Sequence, residues 1–141
     1  MKKQSVRRAV LLLGCCVTVG AAWAAEKVHP IDKWTEQAAG KANSTGDEIA
    51  VQEQALKKWD AEMNKQYNKL MSELKPAEKT NLRTAQQQWL KFRDAEVKLI
   101  DNIYSHKDGS MYAPMQAASR ARITRERAIL LGHYSEILND I

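Results

Sequence analysis

The stretch AQQQWLKFRDAE, Ala85 to Glu96, holds no glycine and no proline and consists of strong helix formers. Trp89 and Phe92 lie within one helical turn of Gln86, Arg93 and Asp94. A helix that carries two large aromatics beside an arginine, an aspartate and an amide poses a choice. The polar groups either enter an apolar seam and pair there, or they face an opening. Working outward, the same periodicity extends in both directions. Leu82, Ala85, Trp89, Phe92, Leu99 and Ile103 form a stripe that Glu96 interrupts. Asp94 and Lys98 are spaced to pair on the outside, four residues apart. Pro76 suits the first turn of this helix, with Glu78 where the helix dipole favours a carboxylate.

Before Lys75-Pro76, apolar residues recur at Ile49, Leu56, Trp59, Met63, Tyr67, Leu70 and Leu74. This predicts a second helix of about 28 residues and about 42 Å from Asp47 to Leu74. Asn43-Ser44-Thr45-Gly46 is a turn signal. Ahead of it, Asp32 can cap a short helix over Lys33 to Ala42, with Trp34 and Ala38 on one face. After His106-Lys107-Asp108-Gly109-Ser110, a connecting loop, a fourth helix is expected from Met111 to Leu138. Its apolar positions are Met115, Ala118, Ile129, Leu130, Tyr134, Ile137 and Leu138. No segment alternates with period two long enough to make a strand. The expectation is an all-α antiparallel bundle of three long helices and a short N-terminal one. The short link at Pro76 makes the second and third helices antiparallel neighbours.

The 141-residue chain carries a formal charge of +5. Much of that excess lies in the opening segment. MKKQSVRR is a basic n-region, Ala9 to Ala22 an apolar run, and Ala22-Trp23-Ala24 places small residues where a signal peptidase needs them. Residues 1–24 therefore read as a cleaved Sec-type signal peptide and 25–141 as a single helical domain, periplasmic or secreted. Cleavage removes four basic residues and no acidic one, which leaves about +1 and no basis for nucleic-acid binding. The run is short for a membrane span, so no stable insertion is expected after cleavage. Leu12-Leu13-Gly14-Cys15 offers an alternative lipoprotein processing site at Cys15, less favoured because it leaves so short an apolar core. Both cysteines, Cys15 and Cys16, fall inside this segment, so the exported domain must rely on packing.

Three blocks resemble the LprI-type lysozyme-inhibitor-like family. They are Trp59-Asp60-Ala61-Glu62-Met63-Asn64 with Tyr67 and Leu70; Leu82 and Ala85-Gln86 with Trp89-Leu90 and Phe92-Arg93-Asp94-Ala95-Glu96; and Gly109-Ser110 followed by Thr124 and Arg125-Glu126-Arg127. The likeness spans roughly Val28 to Leu131. It implies a small helical protein of the envelope or exterior, a protein partner, and inhibition of lysozyme. Relatives place cysteines at positions corresponding to Val51, Val97 and about Ser119; this chain has none there. The resemblance draws attention to a polar and aromatic network of Trp59, Asp60, Asn64, Tyr67, Gln86, Trp89, Arg93, Asp94 and Arg125.

Two arrangements of that network are open. One is a binding cleft that exposes Asp60, Arg93 and Arg125. The other, which the cost of burying unpaired charge favours, is an internal seam where Asp60 accepts from an arginine. Trp34, Trp59, Trp89 and Phe92 are expected in the core. Arg120, Arg122, Arg125 and Arg127 are expected on a solvated face, one of them excepted. Tyr104, Asp108, Gly109, Ser110 and Tyr112 form a candidate partner-binding loop, with both tyrosines on the surface. His29, His106 and His133 lack metal-ligand spacing, and no catalytic or phosphate-binding motif occurs. No enzyme activity, cofactor or metal is expected. The leading reading is a binding protein that blocks lysozyme; the alternative is a structural or self-associating helical module of the envelope.

Overall fold

A computed structural model describes residues 28–140. The expected signal peptide, with Cys15 and Cys16, lies outside these residues. Helix α1 spans Pro30–Ala39, α2 Thr45–Glu73, α3 Pro76–Ser105 and α4 Tyr112–Asn139. There is no strand among the described residues, and no helix long and apolar enough to cross a membrane. The fold is all-α, as the periodicity predicts.

Local chemistry sets the helix ends. Ser44 caps α2 by accepting the Asp47 amide at 3.1 Å. At the head of α3, Glu78 Oε2 accepts the Lys75 amide at 2.8 Å, and Pro76 occupies the first turn. The cap of α1 differs from expectation. Pro30 begins that helix, and His29 Nδ1 accepts the Ile31 amide at 3.2 Å. Asp32, thereby released from capping, forks onto Arg125 of α4 with oxygens at 2.7 and 2.8 Å.

The closest helix pair is α2 with α4 rather than α2 with α3. Arg125 lies over Trp59, at 5.6 Å, and Gly132 faces Gln66, so the two helices run parallel in one register. Small side chains permit this approach. Ala121, Thr124, Ala128 and Ser135 line the buried face of α4 with Leu131, which is 0% exposed. Opposite them stand Ala55, Trp59, Met63 and Leu70 of α2. Helix α1 packs on the α2 side, where Ile31 and Trp34 join the same core.

Helix α3 runs antiparallel and scarcely touches α2 backbone to backbone. Its inward edge is Leu82, Gln86, Trp89, Arg93, Val97, Ile100 and Tyr104 at steps of three and four, a mixed polar and aromatic edge. Of the expected apolar stripe, Leu82 and Trp89 point inward and the rest does not. Ala85 is exposed, and Phe92, Leu99 and Ile103 stand 50 to 55% exposed. The same displacement occurs on α4, where Met115, Leu130, Tyr134, Ile137 and Leu138 are exposed. Small residues on most of the α4 side of the seam leave room for Trp59, Met63 and Leu70 from α2, and the larger α4 side chains off that line stay outside.

Candidate partner-binding cleft

The separation of α3 from α2 opens a cleft between them. Its upper part, about 380 Å³, is walled by Asp60, Met63, Asn64 and Tyr67 of α2 and by Arg83, Gln86, Gln87, Leu90 and Arg93 of α3. Its lower part, about 700 Å³, continues past Leu56 and Lys57 to Val97, Lys98 and Asp101, with Arg120 and Thr124 of α4 at the base. Asp60 and Arg93 border both parts and mark the waist. Six of the residues singled out in the sequence thus converge: Asp60, Asn64, Tyr67, Gln86, Arg93 and Asp94.

They do not form the expected aspartate–arginine seam. Asp60 Oδ2 accepts from Asn64 Nδ2 at 3.2 Å along its own helix. Arg93 turns to its sequence neighbour, with Nε at 3.0 Å and Nη2 at 2.8 Å from Asp94 Oδ1. The expected Asp94–Lys98 pairing gives way to this contact. The cause is distance. With the two backbones held apart, adjacent or same-helix partners are reached without closing the gap. Trp89 is half-buried against the core and lies between two guanidinium groups, Arg93 at 5.5 Å and Arg127 at 5.8 Å.

The arginine that does enter the seam is Arg127, not Arg125. It is 9% exposed and donates from Nε to Gln86 Oε1 at 3.0 Å. Its Nη2 is buried with no hydrogen-bond partner among the described residues. Burial pushes its pKa below the usual arginine value, against a smaller opposing influence of Tyr134. Its register offered the signal. Arg127 follows Thr124 by three and precedes Leu131 by four, so it shares their buried side. Because an arginine only donates, Gln86 must turn its oxygen to Arg127 and its amide nitrogen the other way, toward Met63 Sδ at 3.5 Å.

Trp59 and Arg125 belong to a different locus. Trp59 is buried, with the His29 ring 4.5 Å from its own and Arg125 on it. A cavity of about 770 Å³ opens there between α1, α2 and α4, bordered by Asp32, Glu62, Gln66, His133 and Glu136. Burial alone would raise the Glu62 pKa, but hydrogen bonds from Gln66 and Lys65 outweigh it and hold the carboxyl below its usual value. Among the described residues, no histidine, cysteine and carboxylate cluster is placed to hold a metal.

The loop between α3 and α4 springs from the lower end of the cleft. Asp101 accepts Arg120 Nε at 2.8 Å and Gln116 Nε2 at 2.9 Å. Those bonds hold the Asp101 carboxyl below its usual range, outweighing a small desolvation effect. Tyr104 and Ser119 share a hydroxyl contact at 3.4 Å. Gly109 adopts φ of 119°, which other residues resist, and its carbonyl accepts the Tyr112 amide at 3.2 Å. Asp108, Gly109 and Ser110 are exposed, whereas Tyr104 and Tyr112 are half-buried and brace the base instead of standing free. Together these contacts make a concave cleft, apolar in much of its lining and edged by charged groups, beside a braced loop. Its carboxylates Asp60, Asp94 and Asp101 are each already engaged by N–H donors.

A family model described as lysozyme inhibitor LprI matches residues 36–131. The crystal structure of an uncharacterised protein from Burkholderia thailandensis is similar, with a TM-score of 0.73 and 26% sequence identity. The likeness covers 79% of this chain and 56% of that one, so the present chain spans little more than half that relative's length. No curated protein matches.

Proposed function

The chain belongs to the LprI lysozyme-inhibitor family, and on that footing we propose that it is an exported, non-enzymatic binding protein that seizes a lysozyme-type partner through the cleft between α2 and α3. One observation carries this reading. Polar side chains from both family-like blocks, Asp60, Asn64 and Tyr67 on α2 with Gln86, Arg93 and Asp94 on α3, line one open surface and do not seal a seam. The basic n-region, apolar run and Ala22-Trp23-Ala24 support export of a single domain from residue 25 onward. The braced loop at 106–111 supplies a second contact beside the cleft at low ordering cost, since its base is already fixed.

Titration of the purified protein into lysozymes of several types, read as residual muramidase activity, tests this. Saturable inhibition that Asn64→Trp abolishes is expected, because Asn64 is exposed on the cleft wall and a bulky ring there blocks entry. Absence of inhibition at micromolar excess against every type removes the reading.

A second reading, a self-associating helical module, is favoured by one feature. Phe92, Leu99 and Ile103 of α3, with Leu130, Tyr134 and Ile137 of α4, leave a large share of apolar side chain in water. Sedimentation equilibrium decides it. A strict monomer at high concentration excludes it, and a dimer broken by Phe92→Lys supports it.

A further inference from the structure

We infer that the upper part of the cleft is a carboxylate subsite, in which Gln86 Nε2, flanked by Arg83 and Arg93 and backed by buried Arg127, receives an acidic side chain of the protein that docks there. This rests on the cleft's being the docking surface.

A guanidinium buried as deeply as that of Arg127 ordinarily meets a carboxylate. Here it meets a neutral amide oxygen, an aromatic ring, and nothing at Nη2. Its charge is therefore uncompensated within the described residues, directly behind the wall of the cleft. Gln86 transmits that charge. Its oxygen accepts from Arg127, so its amide N–H is polarised and turned toward the cleft wall. The acceptor it now has there, the Met63 thioether at 3.5 Å, is among the weakest a protein offers. A carboxylate oxygen would be far better satisfied.

The neighbours suit the same guest. Arg83 lines this part of the cleft, is exposed, and makes no ion pair among the described residues. Arg93 shares its guanidinium with an exposed Asp94 and retains Nη1. Against them stands Asp60, whose carboxylate is turned into its own helix by Asn64. The methylenes of a glutamate would lie on Met63, Tyr67 and Leu90. A volume of about 380 Å³ takes one side chain with its flanking backbone and little more. The cavity between α1, α2 and α4 suits the same group less, because three carboxylates, Asp32, Glu62 and Glu136, border it and its Arg125 is already forked onto Asp32.

The experiment uses the purified protein labelled with nitrogen-15. The probes are N-acetylglutamate α-amide and its neutral counterpart N-acetylglutamine amide. The acidic probe is expected to shift the Gln86 side-chain amide resonance saturably. The neutral probe should bind at least about tenfold more weakly, because charge-assisted hydrogen bonds are roughly twice as strong as neutral ones. Binding should fade as the probe is protonated, near pH 4.3. Gln86→Met, which packs beside Met63, should abolish the shift in the backbone resonances around the site. Arg127→Met, its fold checked by circular dichroism, should weaken binding although Arg127 touches no probe. Equal binding of the two probes, no binding of either, or indifference to Gln86→Met overturns the subsite. The lysozyme titration is run beside it. If Asn64→Trp abolishes inhibition while the probes fail, the cleft remains the docking surface and the subsite is wrong. If inhibition survives Asn64→Trp, the docking surface is wrong and the subsite's guest with it.

Discussion

Replacing Arg127 with methionine should leave the fold as stable as before or stabilise it by about 1 kcal/mol, and the contacts say why. The variant loses the hydrogen bond to Gln86, of order 1.5–3 kcal/mol where one partner is charged. It also loses the stacking on Trp89, 5.8 Å from ring centroid to guanidinium carbon, worth about 1 kcal/mol. Against this it removes a guanidinium that is 9% exposed, lacks a carboxylate, and leaves Nη2 unbonded. An orphaned buried donor costs about 1–3 kcal/mol, more when charged. Unpaired burial of the remaining charge adds several kcal/mol. Methionine refills the space with apolar surface, and half-buried Gln86 turns its freed oxygen to water. The two sides nearly cancel, with a small surplus for methionine. Thermal unfolding followed by tryptophan fluorescence measures it, and a melting midpoint unchanged or higher by about 4 °C is expected. A loss of more than about 2 kcal/mol would refute the reasoning, because it would mean that Arg127 has a structural partner strong enough to justify its burial.

Ala128→Leu should destabilise the protein by about 3 kcal/mol, since Ala128 is 1% exposed in the tight α2–α4 seam and a larger side chain there forces the helices apart; Leu130→Ala, on the exposed face, should lie within about 1 kcal/mol of wild type in the same assay. The brace beneath the loop should fail in acid. The Asp101 carboxyl is held below its usual 3.8, so its contribution is complete above that pH and lost as pH falls through its lower folded value. Amide exchange in residues 106–111 should therefore accelerate below about pH 3.8 in the wild type, and be fast already at neutral pH in Asp101→Ala.

The number of helices, their order and their limits to within a few residues were legible because they depend on local signals: Ser44 before Asp47, Pro76 after Lys75, Gly109 in the turn. Which helices touch was not. The short link at Pro76 suggested that α2 and α3 pair closely, yet connection constrains only the ends of two rods. The contact along their length is decided by which faces fit. A stripe of Ala121, Thr124, Ala128 and Ser135 is nearly silent on a hydrophobicity scale, while Leu130, Ile137 and Leu138 are loud. Reading loudness as burial put the core on the wrong side of α4. The same bias put Phe92 inside. The candidate cleft was half legible. Spacing placed Asp60, Asn64, Gln86 and Arg93 on facing helix sides, and they do line one cleft, but pairing was assigned by charge across helices when distance had already decided it within them.

The two helix pairs divide the work. The α2–α4 seam, with Trp59, Met63, Leu70 and Leu131 at or near zero exposure, holds the fold together. It thereby relieves α3 of close packing, so that helix tolerates an edge of glutamine, arginine and half-buried tryptophan at a distance from α2. Closing the gap would bury Asp60, Arg93 and Asp94 together and impose a desolvation cost that no partner in the cleft repays. The Tyr104–Ser119 and Asp101–Arg120 contacts then keep α3 attached at its far end, near the position where relatives would carry a cysteine. Weakening those contacts should free α3 without unfolding the α2–α4 pair, whose core residues lie on the other helices.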